Sequence, residues 1–188
     1  MPSNPSSRQH GGVAGTNPRR GVFPGSFNPL TIAHLEIARL ARARHGLDEI
    51  HLVVSVAALD KPNPPGPSFD ERIAAIEADA RAYDWLVVAT TELKLIADIA
   101  EGFDVVIMGA DKWAQVNDSA YYDDDAHRDA SIARLPTVVV AERDGEPIVG
   151  ADILETSEEL RSVSSTRARE GEDHMMAPQA RNLRSKWR

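Results

Sequence analysis

Runs of β-branched and apolar residues alternate with segments of helical periodicity, and this alternation constrains the fold more than any other feature of the chain. Buried parallel strands consist of nearly continuous Val and Ile, so the pattern predicts a mostly parallel sheet with helices on both faces. Right-handed crossovers then give a doubly wound α/β fold. Strands are predicted at residues 21–24, 50–56, 85–90, 104–108 and 136–142, with a weaker one at 151–155. Helices are predicted at residues 33–44, 68–83 and 93–101.

The length of 188 residues suits one domain with a full core. We predict this domain at residues 21–176, between a disordered polar tail at 1–20 and a basic tail at 177–188. The chain has no cysteine, which excludes disulfides, thiolate metal sites and a cysteine nucleophile and fits a cytoplasmic location. The formal net charge of -8 argues against nucleic-acid binding. No apolar run is long enough for a membrane span, and a homo-oligomer is neither indicated nor excluded.

The loop after the first predicted strand carries the strongest chemical signal. Residues 25–34 read Gly-Ser-Phe-Asn-Pro-Leu-Thr-Ile-Ala-His and lead into the first helix. Gly25 permits a turn, and Thr31 and His34 share one face of the helix start, where free N–H groups and the dipole favour a phosphate. Both side chains can donate hydrogen bonds to phosphate oxygens. The alternative is a simple helix cap at Thr31 with a core histidine at His34.

This segment resembles the G-[ST]-F-[DN]-P-x-[HT]-x-G-H signature of the HIGH-type nucleotidylyltransferases. Thr31 in place of the first histidine is a variant seen in the pantetheine-phosphate adenylyltransferases. Ala33 departs from the glycine of the signature, and its methyl group would crowd the nucleotide. The matching positions are Gly25, Ser26, Phe27, Asn28, Pro29, Thr31 and His34.

A second segment, residues 163–169, reads Val-Ser-Ser-Thr-Arg-Ala-Arg and resembles the I-S-S-T-x-x-R signature of the same family. Hydroxyl side chains that open a helix can donate to a triphosphate, and Arg169 can bridge two phosphate oxygens. The alternative is an ordinary Ser/Thr cap with solvated arginines. The resemblance implies that Ser164, Ser165, Thr166 and Arg169 hold the β and γ phosphates.

Other residues gain a role only from the resemblance. Gly109 and Asp111 would lie against the nucleotide, as would Gly25, Ser26 and Phe27, although Asp111 could instead be a helix N-cap. Lys61, in a proline-rich loop, would contact the acceptor phosphate. Trp113 would stack on an aromatic acceptor ring, with packing in the core as the alternative. No dedicated metal site is predicted, and the acidic run 123–125 is interpreted as a solvated loop.

The resemblance therefore implies a Rossmann-like nucleotidylyltransferase that moves AMP from ATP, with Mg²⁺ held through the phosphates, to a small phosphate-bearing acceptor and releases pyrophosphate. His34 and Thr31 would stabilise negative charge, with Arg169 as the third catalytic residue. The sequence Gly-Ala-Asp-Lys-Trp at 109–113 favours nicotinate mononucleotide as the acceptor. The alternatives are a pantetheine-phosphate adenylyltransferase, a cytidylyltransferase that uses CTP on another small phosphate, or a degenerate protein that binds nucleotide without activity.

Overall fold

A six-stranded sheet forms the centre of the protein, and every strand runs parallel to its neighbours. The computed structural model describes residues 17–56, 66–143 and 147–187. The strand order is β3-β2-β1-β4-β5-β6, which confirms the predicted doubly wound α/β fold. The strands are β1 (Arg20–Gly25), β2 (Glu49–Ser55), β3 (Leu86–Thr91), β4 (Val105–Gly109), β5 (Thr137–Ala141) and β6 (Asp152–Leu154).

Eight described helices connect these strands or follow the last of them. They are α1 (Ile32–His45), α2 (Phe69–Ala80), α3 (Ile96–Ile99), α4 (Ala110–Asn117), α5 (Asp125–Ala133), α6 (Glu158–Arg161), α7 (Ser165–Arg169) and α8 (Pro178–Asn182). Three 3₁₀ turns lie at Ser119–Tyr121, Asp173–Met175 and Arg184–Lys186. Ser68 and Glu71 form a reciprocal capping box at the start of α2, because Ser and Glu at this spacing satisfy each other's backbone N–H groups. None of the described helices is long and apolar enough to cross a membrane.

Alternate residues of each central strand enter two different hydrophobic clusters, one on each face of the sheet. Phe23 and Ile107 belong to the larger cluster, whereas Val22, Val106 and Met108 belong to the smaller one. This period of two is the geometry of a strand buried on both faces. It explains why the strands consist of continuous apolar residues.

The two central strands separate toward their carboxyl ends. Strand β1 pairs with β2 over six residues but with β4 only at Gly21 and Val22. Pro24 has no N–H group to continue a ladder with β4. The chain reverses its direction of travel across the sheet between β1 and β4, so this separation opens a crevice at the topological switch point.

Residues 177–187 differ from the predicted basic tail, because they fold back onto the domain. Helix α8 packs against α2, and Trp187 is only 2% exposed within the larger cluster. The Asp79 carboxylate accepts the N–H groups of Gln179 and Ala180 at 2.9 and 3.3 Å and so caps α8. Burial raises the pKa of Asp79. The segment folds back because apolar residues recur along it at helical spacing. The cations between them had suggested a tail instead.

The predicted N-terminal tail also extends too far. Strand β1 begins at Arg20, whose N–H donates to the Asp104 carboxylate at 2.7 Å. The Arg19 N–H donates to Asp48 at the same distance. Residues 1–16 lie outside the described part of the chain. These two arginines are therefore fixed to the amino end of the sheet through their backbone.

The acidic run 123–125 begins a helix. Asp124 is the N-cap of α5 and accepts the His127 N–H at 2.7 Å. Asp125 lies in the first turn, where a negative charge is favourable. The run thus has a local structural role that its sequence did not reveal.

Candidate active site

A cavity of about 450 Å³ lies in the crevice at the carboxyl ends of β1, β4 and β5. Its walls bring together the two sequence motifs, which are separated by more than a hundred residues in the chain. The described lining residues that carry polar side chains are Ser26, Thr31, His34, Asp111, Lys112, Gln115, Glu142, Arg143, Ser164, Ser165 and Thr166. The predicted site residues Gly25, Phe27 and Gly109 also line the cavity, as does Ala33.

The His34 ring is fixed by its own helix start and by two phenylalanines. The backbone N–H of Thr31 donates to His34 Nδ1 at 3.0 Å, and the Thr31 hydroxyl lies 2.8 Å from the same nitrogen. Phe27 and Phe23 meet the imidazole edge-on, with ring centroids 5.1 and 5.9 Å away. Since Nδ1 accepts a hydrogen, the neutral ring carries its proton on Nε2.

The charge state of His34 follows from this environment. Burial, together with the positive charge of Arg143, lowers the pKa of His34 from 6.5 to about 4. The ring is therefore neutral near pH 7. It can offer a phosphate one N–H donor. From the sequence alone, a positively charged ring was also possible at this position.

The Thr31 side chain makes local contacts at the start of α1, and its direct contact with a phosphate stays a prediction. Its side chain is the N-cap of α1 and accepts the His34 N–H, while His34 in return accepts the Thr31 N–H, as in a capping box. The residue is 1% exposed. Its hydroxyl lies 2.8 Å from His34 Nδ1, so the geometry places Thr31 as the cap of α1 and as a neighbour that holds the His34 ring.

Two glycines in the wall differ in the room that they leave for a side chain. A Cβ atom at Gly25 would lie 3.0 Å from the Phe27 ring, so a side chain here would push the ring aside by a few tenths of an ångström. Phe27 itself has a positive φ of 42°, which turns its ring back over Gly25. A Cβ atom at Gly109 would meet nothing within 4 Å, and the φ of −82° there suits any residue. The space beside Gly109 is therefore open to a ligand.

The second motif packs directly on the first. Ser164 is the N-cap of α7 and accepts the Arg167 N–H at 3.1 Å. The Ser165 hydroxyl donates to the Pro29 carbonyl at 2.8 Å, and the Arg169 guanidinium donates to the Asn28 carbonyl. Ser164, Ser165 and Thr166 line the cavity, whereas Arg169 is not among the described lining residues.

Two cations of the wall carried no signal in the sequence analysis. Arg143 follows β5 and forms an ion pair with Asp111 on α4. Lys112 lies beside Asp111, and its ammonium group donates to Gln115 at 2.7 Å. A single basic residue in a loop has no local pattern. Its position just after a strand end, where ligands bind in this fold, is the one feature that could have singled out Arg143.

Asp111 is not the N-cap of α4, which was one interpretation of it. Gly109 occupies the N-cap position, and Asp111 lies in the first turn with its carboxylate paired to Arg143. A carboxylate in the first turn also interacts favourably with the helix dipole. The side chain faces the cavity, which leaves a contact with a ligand as a proposal.

The sequence from residue 22 to 171 matches the family model described as cytidylyltransferase-like. The chain belongs to this family. It is therefore a nucleotidyltransferase, with the HIGH-type signature at 25–34 and the second signature at 163–169.

Curated relatives agree with this assignment, and a solved structure shares the fold. A phosphopantetheine adenylyltransferase of Parasynechococcus marenigrum is 32% identical over 125 residues, which are 65% of this chain and 71% of the relative. A probable nicotinate-nucleotide adenylyltransferase of Gloeobacter violaceus is 41% identical over 58 residues, but the match spans only 28% of that relative. The structure of Plasmodium falciparum nicotinic acid mononucleotide adenylyltransferase complexed with NaAD superposes with a TM-score of 0.66 at 14% identity. It covers 91% of this chain and 96% of its own, which shows a shared fold.

Neither of the two predicted acceptor contacts is among the described residues that line the cavity of this nucleotidyltransferase. Lys61 is outside the described residues. Trp113 is 5% exposed within the smaller core cluster, and its indole N–H donates to the Val149 carbonyl at 2.9 Å. The geometry thus favours the packing role for Trp113, and stacking on an acceptor stays a prediction.

Proposed function

We propose that the protein transfers AMP from ATP to a small phosphate-bearing acceptor, with nicotinate mononucleotide as the first candidate, and releases pyrophosphate. One observation carries the proposal. A neutral histidine with its Nε2–H available, the hydroxyl groups of the second motif and the open space at Gly109 border a single cavity at the switch point of the sheet. The absence of cysteine fits a reducing compartment, and we place the reaction in the cytoplasm.

The wall of the cavity suggests where the nucleotide lies. The open space beside Gly109 admits a flat group against the backbone, which supports this side for the nucleoside. The start of α1, with His34, offers donors to the phosphates, and Ser164 and Thr166 border the cavity on the side of α7. Ala33 is 5% exposed between these regions, where its methyl group would touch the nucleotide.

The charges of the wall support the use of Mg²⁺ with the nucleotide. Among the described lining residues, Lys112 and Arg143 are balanced by Asp111 and Glu142. A triphosphate would therefore enter a wall without a positive excess, and a divalent cation bound to its oxygens supplies the missing charge. No group of three or more His, Asp or Glu residues in the described chain could hold a metal by itself. We propose that the metal arrives bound to ATP.

The chemistry needs positioning and charge stabilisation from the protein. An oxygen of the acceptor phosphate attacks the α-phosphorus in line, and the bond between this phosphorus and the bridging oxygen of the β phosphate breaks. The attacking oxygen is already ionised, so no general base is required. Negative charge grows on the phosphoryl oxygens and on the leaving pyrophosphate. The His34 Nε2–H would stabilise it as a fixed donor in a partly buried site.

The acceptor is the finer part of the proposal. The residues 109–113 resemble nicotinate-mononucleotide adenylyltransferases, which supports nicotinate mononucleotide. Thr31 and the 71% coverage of a phosphopantetheine adenylyltransferase support phosphopantetheine as the second candidate. We keep Lys61 as the proposed contact of the acceptor phosphate.

A pyrophosphate-release assay tests the function. ATP and CTP are each combined with nicotinate mononucleotide, nicotinamide mononucleotide, phosphopantetheine and simple sugar phosphates, with reactions that lack acceptor as controls. We expect release that depends on both ATP and one acceptor. ATP binding without release with any of these acceptors would support the degenerate alternative and contradict the proposal.

A further inference from the structure

Three consecutive carbonyl groups of the first motif are all bound by residues near the carboxyl end of the chain. The Asn28 carbonyl accepts from the Arg169 guanidinium. The Pro29 carbonyl accepts from the Ser165 hydroxyl at 2.8 Å, and the Leu30 carbonyl accepts from the Ala177 N–H at 2.9 Å. The contacts span well over a hundred residues of sequence, so they exist only in the folded chain.

These carbonyls lie beyond the end of β1, so they have no neighbouring strand to donate a hydrogen bond to them. Asn28 and Leu30 are buried, and an unpaired polar group in the interior is costly. Strand β1 ends at Gly25, and Phe27 with its positive φ turns the chain away from the sheet. The partners from the second motif and from residue 177 therefore fix the path of this loop.

The next residue along the loop connects it to the reaction centre. Thr31 forms an isolated antiparallel bridge with Met176, and its N–H donates to His34 Nδ1 at 3.0 Å. This donor keeps the proton of the neutral ring on Nε2. A displacement of the loop would lengthen that bond and weaken the preference of the ring for the Nε2–H tautomer.

We infer that Arg169 and Ser165 are positioning residues, which hold the carbonyls of Asn28 and Pro29 so that the Thr31 N–H fixes the tautomer of His34. The inference rests on the proposed function for its kinetic consequence only. Arg169 then acts through the loop, which differs from the contact with the β and γ phosphates that the family resemblance implies. Its second hydrogen bond, to the Thr166 hydroxyl at 3.3 Å, lies within α7 and holds the guanidinium in place on that helix.

The test compares four variants in the free protein and in catalysis. Arg169→Met and Ser165→Ala each remove one bond to the loop, and Arg169→Lys restores a donor. Arg167→Met is the matched control, because Arg167 is in the same helix but pairs with Glu172 at 2.6 Å and does not touch the loop. Long-range ¹H–¹⁵N spectra report the tautomer of His34 without any substrate.

We expect a single Nε2–H tautomer in the wild type, in Arg169→Lys and in Arg167→Met, and a mixture of tautomers in Arg169→Met and Ser165→Ala. In kinetics, Arg169→Met should lower kcat by about tenfold or more and change the Kd of a Mg-ATP analogue by less than about threefold. A loss of ATP affinity by Arg169→Met with an unchanged His34 tautomer would overturn the inference and make Arg169 a phosphate ligand. Should Arg169→Met not fold, Ser165→Ala with a wild-type tautomer would overturn it equally. The spectra need no activity, so failure of the proposed reaction would leave this test intact.

Discussion

Replacement of His34 by glutamine or by asparagine separates the position of its donor from its charge. Nδ1 is occupied by the Thr31 N–H, so Nε2 is the atom that can reach a phosphate. The amide nitrogen of glutamine lies near the place of Nε2, whereas that of asparagine lies near Nδ1. Both variants lack a titrating group. The pair therefore tests whether a donor at the Nε2 position is what the reaction uses.

The magnitudes follow from the environment of the ring. Loss of one preorganised donor to a developing charge costs about two to three orders of magnitude in kcat, or about 2.7–4 kcal/mol. We expect His34→Asn to lose this full amount and His34→Gln to lose about tenfold less. The Kd of a Mg-ATP analogue should change by less than about tenfold in both variants, because the donor acts mainly in the transition state.

The pKa of His34 adds a dependence on pH with a definite sign. The pKa falls from 6.5 in the unfolded chain to about 4 in the folded one, so the unfolded chain binds more protons between these values. This contribution to stability is complete above pH 6.5 and is lost as the pH falls toward 4. It amounts to about 3–4 kcal/mol at most, at 1.36 kcal/mol per pH unit. The free energy of unfolding should therefore fall more steeply across this window in the wild type than in His34→Gln.

Steady-state kinetics on the productive acceptor and denaturant unfolding at several pH values measure both effects. Because His34 is neutral down to about pH 4, the kcat/KM of the wild type should not fall with an apparent pKa near 6.5. The pH profiles of the wild type and of His34→Gln should therefore have the same shape around pH 6.5. Asparagine and glutamine variants of equal activity, or a His34→Asn variant within about threefold of wild type, would refute the role of the Nε2 donor.

Three further predictions concern space and packing. Gly109→Ala should keep the wild-type stability and weaken ATP binding measured by calorimetry, whereas Gly25→Ala should lower the unfolding midpoint because of the Phe27 ring; equal effects on stability would contradict the distinction. Trp187→Ala should lower the free energy of unfolding by about 3–5 kcal/mol in denaturant titrations, and a loss below about 1 kcal/mol would show that the carboxyl segment is a solvated tail after all. Ala33→Gly should change the Kd of a Mg-ATP analogue by no more than about tenfold and cost about 1 kcal/mol of helix stability; binding by the variant alone would mean that Ala33 has abolished the nucleotide site.

Much of the fold was accessible from local patterns. The β-branched runs around Val53 and Val106 predicted parallel strands, because a strand covered on both faces needs apolar side chains at every position. The helix predicted from residue 68 begins at Phe69, with Ser68 as its N-cap. The prediction of a basic tail at 177–188 was wrong, because it rested on the cations of this segment. The apolar residues among them recur at helical spacing and end in the buried Trp187.

The candidate site was likewise only partly predictable from the sequence. The spacing of Thr31 and His34 placed them on one face, but only coordinates show that they bond to each other and that the ring is neutral. The ion pair of Arg143 with Asp111 joins the segment after β5 to the start of α4, and no local sequence pattern connects these two places. The contact of Arg169 with the first motif spans 141 residues, and sequence periodicity carries no information about such a distance.

The destination of the α-phosphorus of ATP tests the central claim most directly. ATP labelled at the α-phosphorus and ATP labelled at the γ-phosphorus are each incubated with Mg²⁺, the protein and nicotinate mononucleotide or phosphopantetheine, and the products are separated. Nucleotidyl transfer predicts that the α label enters the acceptor product and that the γ label leaves in pyrophosphate. A γ label on the acceptor, or an α label recovered only as ATP or as free AMP with every acceptor, would contradict the account.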